Sequence, residues 1–354
     1  MKKATTNNLT CLYYGPIARK GQGARGGFEA ANRKNISALE TSGVRVIEMP
    51  DPIKPSGPLG ALVYLKMLFT PYRMVPFIGR RNVVAHFTPI YGSILYVSAL
   101  APIFARIIGM KTVVDIRAGS FMNIYKRSNA IYKWLVRRVL RSASVVTVEG
   151  HRYVDELQPL AKKTPVYFPN LCAKEVDVST ERLVHSPLRI FYFGRITANK
   201  GISVIVDAWR ALGDGCELYM AGPVAPDVDI EKLKAEGVKY LGILKPDELN
   251  DKLSEMDFFL FPTTHSGEGQ SNALIEAMAA GLVPIASDNG FNADVVGDTG
   301  VILPKDAGGE AYATAVRKLA HEFSARSLAA RRHIAVNHNL NKEIDKLINI
   351  YQSL

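Results

Sequence analysis

Short apolar runs alternate with longer segments of helical periodicity along most of the chain. The runs are continuous rather than alternating with polar residues, which is typical of strands buried on both faces of a parallel sheet. Repeated alternation of strand and helix predicts right-handed βαβ units, and so a doubly wound α/β fold. The predicted strands are 9–15, 44–49, 82–87, 111–116, 144–149, 188–194, 216–222, 257–262 and 282–287.

Prolines and a polar run interrupt this pattern between residues 165 and 187. A chain of 354 residues is long enough for two domains, and we place their boundary at about 170–187. Each half then carries its own parallel sheet. The predicted parts are 1–172, 187–335 and a final helix over 336–354 that can pack back on the first domain.

The charge of the chain changes sign near the same boundary. The chain carries a net charge of +11, yet residues 1–150 hold 22 Lys and Arg against 6 Asp and Glu. Residues 151–354 hold 22 against 27, and Asp115 is the only acid in residues 52–148. A basic half beside a mildly acidic half predicts an anionic partner for the first half: nucleic acid, a phosphate ester or a lipid surface.

Cysteine usage and hydropathy exclude several classes of protein. The three cysteines lie far apart, which argues against a disulfide framework or a zinc cluster and favours a reducing compartment. The first ten residues contain no apolar segment typical of a signal peptide. The most apolar stretch, 93–110, is interrupted by Pro102 and Arg106 and falls short of the ~20 residues that span a bilayer. We therefore expect a cytoplasmic protein.

The segment FYFGRITANKG (191–201) carries the first candidate site, because ligands of open α/β sheets bind beyond the carboxyl ends of strands. Arg195 follows a predicted strand directly, and Lys200 precedes the next helix. Arg195 offers a planar set of hydrogen-bond donors, and Lys200 offers a mobile positive charge. The N-terminus of the helix adds oriented backbone amides. Together they predict a diphosphate site. The alternative is two surface charges at a helix start.

The segment SGEGQSNALIEAMAAG (266–281) carries the second candidate site. Glu268 follows a predicted strand, and Glu276 lies in a helix predicted to start near Gln270. Ionised carboxylates accept hydrogen bonds from the paired hydroxyls of a ribose or a sugar. The alternative is a solvated face, although the apolar neighbours of Glu276 argue against that interpretation.

These two segments, G-R-x4-K-G and E-x7-E followed by PIASDNG, resemble glycosyltransferase family 4. The resemblance is specific over 188–304 and loose over 1–180. It implies the GT-B fold, in which two Rossmann-like domains with parallel sheets face a central cleft. It also implies a retaining transferase whose donor is a nucleoside-diphosphate sugar.

The resemblance assigns a role to each motif residue. Arg195 and Lys200 would hold the donor diphosphate, Glu276 the nucleotide ribose, and Glu268 the donor sugar. Positive charge aimed at a diphosphate leaving group lowers the barrier to its departure. The other donor-site residues that the resemblance implies are Gly194, Ser271, Asn272 and Ala273.

A glycine-rich loop over 15–35 follows the first predicted strand. It contains G-x-G-x-x-G, and with Glu48 as the acid it could indicate a nicotinamide site. The resemblance instead places Gly26 and Gly27 beside the donor phosphates and the acceptor. Three basic residues of this loop, Arg19, Lys20 and Arg25, would bind an anionic acceptor or are solvated.

Three polar residues lie at strand ends in the first half: His86, Asp115 and Arg117. Many family members carry a histidine near the position of Arg117 that contacts the donor sugar. With Glu268, these three are the candidate catalytic residues. The alternatives are that Asp115 is an internal partner of Arg117 and that His86 is a core histidine.

The sequence Asp227-Val-Asp229 matches the D-x-D pattern that binds Mg²⁺ or Mn²⁺ in glycosyltransferases of another fold. These acids precede a predicted helix, where Asp is a common cap. We favour capping, and we expect no metal because Arg195 and Lys200 supply the positive charge.

Residues 121–144 predict one amphipathic helix with a basic arc that contains Trp134. Such helices lie on anionic membrane surfaces, although a solvated face is the alternative. The stretch 58–81 is apolar, aromatic and basic, as an interfacial segment would be. We find no nucleic-acid-binding motif, so we expect a membrane partner and no nucleic acid. The predicted membrane residues are Lys126, Lys133, Arg137, Arg138 and Arg141.

The sequence thus predicts a retaining, metal-independent hexosyltransferase without a cofactor, peripheral on the inner face of the cell membrane. Its acceptor would be a lipid-linked glycan or a lipopolysaccharide or capsule precursor. Two alternatives remain: a sugar-nucleotide epimerase of the same fold, and a non-catalytic scaffold that binds sugar nucleotides.

Overall fold

The computed structural model describes residues 9–18, 26–50, 69–89 and 92–354. The chain forms two compact units, one of Met1–Leu171 with Leu340–Leu354 and the other of Cys172–Asn339. Each unit is built on a six-stranded sheet whose strands are all parallel.

The sheet of the first unit has the strand order β2-β1-β3-β4-β5-β6. Its strands are β1 (Thr10–Gly15), β2 (Arg45–Pro50), β3 (Val83–Phe87), β4 (Lys111–Ile116), β5 (Val145–Val148) and β6 (Val166–Tyr167). Its α-helices are α1 (Gly27–Thr41), α2 (Leu95–Ser98), α3 (Leu100–Ile107), α4 (Phe121–Arg127), α5 (Ala130–Ser142), α6 (His151–Leu157) and α14 (Leu340–Ser353). A 3₁₀ helix covers Thr70–Phe77, and a shorter one covers Gly92–Ile94.

The order of the strands determines which helices share a face of this sheet. α1 links β1 to β2 on one side, whereas the later connections run the opposite way, through β3 to β4 and β5. Right-handed crossovers therefore place α1 on one face, and the 3₁₀ helix Thr70–Phe77, α3 and α5 on the other. The core on the α1 face includes Ile36, Leu39 and, from α14, Leu347 and Tyr351.

The sheet of the second unit has the strand order β12-β11-β10-β7-β8-β9. Its strands are β7 (Leu188–Phe193), β8 (Cys216–Ala221), β9 (Lys239–Tyr240), β10 (Phe258–Phe261), β11 (Val283–Ser287) and β12 (Val301–Leu303). Its α-helices are α7 (Ile202–Leu212), α8 (Ile230–Ala235), α9 (Pro246–Ser254), α10 (Asn272–Ala279), α11 (Asn292–Val296), α12 (Gly309–Ala320) and α13 (Phe323–Asn337).

The predicted α/β class is confirmed, and all nine predicted strands are present with ends that differ by at most one residue. Most apolar residues of these strands are buried in the sheets, as continuous runs indicate, whereas in β2 only Met49 is buried. The prediction missed β6, β9 and β12, which are only two or three residues long. Runs this short carry no periodic signal.

The prediction of one helix over 121–144 is wrong. The chain leaves the helix at Ser128, whose φ of −80° and ψ of 162° are extended, and α5 begins after Asn129. The Asn129 side chain accepts a hydrogen bond from the Tyr132 amide at 2.9 Å, because asparagine favours a cap over a helix interior. Lys126 therefore lies on a different helix from Lys133, with its ammonium 3.6 Å from Glu156.

Within the described residues, none of the helices combines the length and the hydropathy that crossing a bilayer requires.

Candidate functional site

Charged side chains meet at the carboxyl edge of the second sheet. Because the strands are parallel, the loops that follow β7, β10 and β12 emerge at one edge. Partial burial and the positive charges of Lys200 and Arg195 lower the pKa of His265, which follows β10. The groups that act on His265 electrostatically are Lys200, Glu268, Arg195 and Lys305.

Lys200 and Glu268 form an ion pair inside this edge. The Lys200 ammonium lies 2.5 Å from Glu268 Oε2, and the Thr263 hydroxyl donates to the same oxygen at 2.7 Å. The ammonium also lies 5.3 Å from the centre of the Phe261 ring. The two motifs that the sequence singled out therefore converge on one point, although 68 residues separate Lys200 from Glu268.

The backbone before this pair makes sharp turns that require glycine. Gly194 has a φ of +127°, and a Cβ on Gly222 would lie 2.0 Å from the Gly194 carbonyl oxygen. The Tyr192 hydroxyl donates to the Arg195 carbonyl at 2.8 Å. The Arg195 main chain is thus fixed, whereas its side chain is exposed at the sheet edge.

Gly201 brings the loop after β7 against the loop after β10. Its φ is +74°, and a Cβ there would lie 2.2 Å from the Pro262 carbonyl oxygen. Only glycine fits so close to a carbonyl at positive φ. Gly201 is also the N-cap of α7, directly after Lys200. Its small size therefore contributes to the position of the Lys200 side chain beside Glu268.

Replacing Gly201 by alanine is expected to weaken nucleotide binding by at least ~10-fold, since the new methyl group displaces Lys200 or the β10 loop. The matched control is Gly242→Ala, whose φ is +72° but whose Cβ would meet no atom within 4 Å. Both variants carry the strain of a positive φ, about 1–3 kcal/mol. Calorimetric titration and thermal melting compare them, and equal effects from the two changes would contradict the role given to Gly201.

The helix α10 begins beside Glu268. Its N-cap is Ser271, whose hydroxyl accepts from the Leu274 amide at 3.3 Å. The helix begins at Asn272, two residues after the predicted start near Gln270. Its first turn, which includes Asn272 and Ala273, presents amides and a partial positive charge that suit a phosphate. Glu276 is half-buried one turn further along.

The two acids of the D-x-D pattern have structural partners. Asp229 caps α8 and accepts from the Lys232 amide at 3.0 Å, which confirms the capping interpretation. Asp227 accepts from the Thr197 hydroxyl at 2.8 Å and the Ala198 amide at 2.9 Å. Asp227 thus fixes the turn that leads to Lys200. In the part of the chain that the structure describes, no group of three or more His, Cys, Asp or Glu side chains is arranged to hold a metal ion.

His86, Asp115 and Arg117 meet in the interior of the first unit. Arg117 Nε donates to Asp115 Oδ2 at 2.5 Å, and the Thr147 hydroxyl donates to Oδ1 at 2.9 Å. His86 Nε2 lies 3.6 Å from Asp115 Oδ2, and its Nδ1 lies 2.7 Å from the Tyr351 hydroxyl. All three residues are buried, so this conformation favours the interpretation of Asp115 as the internal partner of Arg117.

Burial and the neighbouring charges together shift the pKa of each member of this cluster. Burial opposes ionisation of Asp115, but the positive charge of Arg117 and the neighbouring His86 outweigh it and hold the pKa of Asp115 below its usual value. Burial lowers the pKa of His86, so His86 is neutral at pH 7. The cluster therefore holds one buried ion pair, Asp115 with Arg117, beside a neutral imidazole.

The glycine-rich loop is described only in part. Gly26 is the N-cap of α1, with an extended φ of −169°, and Gly27 is its first residue. Among the described residues, no atom would lie within 4 Å of a Cβ on Gly26. Arg19, Lys20 and Arg25 lie outside the described residues.

Sequence reasoning missed several residues of the two clusters. Thr263 and His265 follow β10 directly, and their place after a strand could have revealed them. Lys305 follows β12, which was not predicted. Tyr351 reaches His86 from α14, 265 residues away, and no local pattern predicts that contact.

The region that holds this candidate site resembles known proteins. Residues 187–322 match the family model described as glycosyl transferases group 1. This part of the chain is similar to that family. Every donor-site residue proposed from the sequence, from Gly194 to Glu276, lies in the matched region.

Two curated glycosyltransferases resemble the chain over part of its length. The amylovoran biosynthesis glycosyltransferase AmsK of Erwinia amylovora is 30% identical over 141 residues, 36% of this chain and 35% of AmsK. TuaC of Bacillus subtilis, whose name refers to teichuronic acid biosynthesis, is 25% identical over 215 residues, 58% of this chain and 54% of TuaC. The matches thus span about a third and about half of these relatives.

Solved structures of similar fold extend over almost the whole chain. HepE of Anabaena, crystallised with UDP, has a TM-score of 0.70 at 14% identity and covers 98% of this chain and 100% of its own. WaaG, described as a glycosyltransferase involved in lipopolysaccharide biosynthesis, has a TM-score of 0.62 at 15% identity, with 98% and 100% covered. The chain thus has the expected GT-B type of fold.

Proposed function

We propose that the chain is a glycosyltransferase that takes a sugar from a nucleoside-diphosphate sugar with retention of anomeric configuration. The observation that carries this proposal is the ion pair of Lys200 with Glu268 at the sheet edge where Arg195 follows β7, within the region that matches the group 1 glycosyltransferase model. Two cations can bind a diphosphate, and a carboxylate can accept hydrogen bonds from sugar hydroxyls. These are the groups that a nucleoside-diphosphate sugar presents.

The donor diphosphate competes with Glu268 for the Lys200 ammonium. Charge-assisted bonds from Lys200 and the exposed Arg195 stabilise the negative charge that develops as the nucleoside diphosphate leaves. Once Lys200 turns to the phosphates, Glu268 keeps its bond from the Thr263 hydroxyl. Its remaining lone pairs are then available to the donor sugar. Glu276 accepts from the ribose hydroxyls.

Arg195 and Lys200 also bear on the question of a metal ion. They supply the positive charge that a divalent cation gives to the diphosphate in other transferases. We therefore propose a reaction without a metal or a nicotinamide cofactor. The bond from the anomeric carbon to the diphosphate oxygen breaks, a bond from that carbon to the acceptor hydroxyl oxygen forms, and the hydroxyl proton leaves with the nucleoside diphosphate.

The acceptor that fits the chain is a membrane-associated glycan. The names of AmsK, TuaC and WaaG refer to amylovoran, teichuronic acid and lipopolysaccharide synthesis. Residues 1–150 hold 22 Lys and Arg against 6 Asp and Glu. This excess of positive charge suits the anionic inner face of a membrane. We propose a hexosyl donor, with a lipid-linked or lipopolysaccharide-type or capsule-type acceptor.

The test is release of nucleoside diphosphate from a panel of sugar nucleotides, with and without bacterial lipid extract. We expect release that depends on the extract, and a loss of about 10- to 100-fold in kcat/KM in Glu276→Ala, because a hydrogen bond to a charged group contributes about 1.5–3 kcal/mol. The anomeric configuration of the product shows whether it is retained.

The matched control for Glu276 is Glu310→Ala, which removes an exposed glutamate of the same unit that pairs with Arg317 at 2.9 Å. Its release rate should stay within about twofold of the original. Bound nucleotide without release from any donor would contradict a transferase and favour the epimerase or the scaffold.

A further inference from the structure

A layer of three helical elements covers one face of the first sheet and exposes apolar side chains outward. α3 packs between the 3₁₀ helix Thr70–Phe77 and α5. Phe69, Tyr72, Ile107 and Trp134 expose 64%, 71%, 71% and 61% of their surface. We call this outer surface the apolar–basic face. Its exposed apolar residues are Phe69, Tyr72, Val75, Ile78, Leu100, Ile107, Ile131 and Trp134.

The α5 part of this face forms one regular stripe. Ile131, Trp134, Arg138 and Arg141 recur at helical spacing and are exposed. The opposite side of α5, which includes Val136, is buried. The helix thus presents apolar and basic groups together on its outer side, which a merely solvated face would not need.

The sequence segment that supplies the cations of the apolar–basic face contains almost no acid. Asp115 is the only acid in residues 52–148, and it is buried. The Arg80 guanidinium lies 5.4 Å from the centre of the Phe77 ring, so cations and aromatic rings are interleaved. The exposed cations of the face are Arg73, Arg80, Arg81, Arg106, Arg137, Arg138 and Arg141.

We propose that the apolar–basic face inserts into an anionic lipid bilayer. The apolar side chains enter the boundary between headgroups and acyl chains, and the arginines pair with lipid phosphates. Charge alone would also suit nucleic acid, but exposed isoleucine, valine and leucine gain nothing from a phosphate backbone. The inference deepens the proposed function, since it names the surface that brings the transferase to its acceptor.

Tryptophan fluorescence reports this insertion directly. The chain has two tryptophans, and Trp209 is half-buried in the second unit with its indole N–H bound to the Cys216 carbonyl at 3.0 Å. In Trp209→Phe, Trp134 is the remaining reporter. We expect a blue shift and quenching with brominated vesicles of phosphatidylglycerol and phosphatidylethanolamine, and neither with phosphatidylcholine alone. Absence of quenching in the anionic vesicles would overturn the proposal.

Two sets of variants separate the apolar from the charged contribution. Phe69→Ser, Tyr72→Ser and Ile107→Ser together should weaken binding to anionic vesicles at least ~10-fold at all salt concentrations. Arg137→Gln, Arg138→Gln and Arg141→Gln together should weaken binding about 100-fold at low salt and less at high salt. The matched control, Leu183→Ser with Ile243→Ser, removes equally exposed residues of the second unit and should bind as the original does.

Vesicle binding and nucleoside diphosphate release are measured separately, so either can fail alone. If the apolar triple variant binds vesicles as the original does, the apolar–basic face is not the insertion surface, whatever the release assay shows. If vesicles bind but no donor is hydrolysed or transferred, the inference holds and the proposed function fails. Binding to a DNA duplex with no vesicle binding would overturn the inference in favour of nucleic acid.

Discussion

Replacing Lys200 by alanine is expected to lower kcat/KM for nucleoside diphosphate release by about 10²–10³-fold. The ammonium is the cation that lies inside the candidate site, 2.5 Å from Glu268, and its loss removes positive charge from the leaving diphosphate. The effect should fall on kcat as well as KM, because the charge of the leaving group grows in the transition state. Steady-state kinetics on the preferred donor measures both.

The matched control is Lys234→Ala, which removes an exposed lysine of the same unit paired with Glu231 at 2.9 Å. Its kinetics should be unchanged, since surface pairs contribute little. Activity of Lys200→Ala within about threefold of the original would contradict the role of Lys200. If Lys200→Ala loses nucleotide binding because it unfolds, thermal melting shows the unfolding. The Lys200→Arg variant then tests the positive charge, because it keeps a long cationic side chain at this position.

Replacing Asp115 by alanine is expected to destabilise the first unit by about 3–5 kcal/mol, because Arg117 is left as a buried charge without its carboxylate. This corresponds to a fall of about 10 °C in the melting temperature of that unit. The pKa of Asp115 lies below its usual value in the folded state, so the pair stabilises the fold above about pH 4 and loses this effect as the pH falls further. The variant should therefore lose less stability on acidification than the original.

Asp155→Ala serves as the control for Asp115, since Asp155 is an exposed acid of the same unit on α6. Its melting temperature should change by no more than about 1 °C. A second variant, Asp115→Asn, distinguishes structure from chemistry. If it melts as the original does yet loses activity, Asp115 acts on the reaction, and the internal interpretation drawn from its burial is contradicted.

The strands could be predicted because each long strand carries its own signal. β10 is a continuous apolar run, and such runs are typical of strands that are buried on both faces of a parallel sheet. The break between α4 and α5 could not be seen in the same way. The helical spacing of apolar and basic residues is the same before Ser128 and after Asn129. Only the preference of asparagine for a cap position marks the interruption.

The residues of the candidate site could likewise be predicted from the sequence, whereas their contacts could not. Arg195, Lys200, Glu268 and Glu276 were visible because each lies in a short motif with glycines and a strand before it. The pairing of Lys200 with Glu268 was not visible, since it depends on which loops meet at the sheet edge. The contact of Tyr351 with His86 depends on a helix at the far end of the chain. Sequence patterns identify candidate side chains, whereas tertiary packing determines which of these side chains are in contact.

Hydrogen–deuterium exchange with added nucleoside diphosphate is the most direct test of the central claim, that the carboxyl edge of the second sheet binds the donor. UDP, GDP and ADP are compared in turn, on the original chain and on Lys200→Ala. The account predicts that the preferred nucleotide slows exchange in residues 194–201 and 263–276, and that Lys200→Ala abolishes the effect at the same concentration. Slowed exchange confined to other segments, or unchanged exchange at 194–201 and 263–276 with every nucleotide, would contradict it.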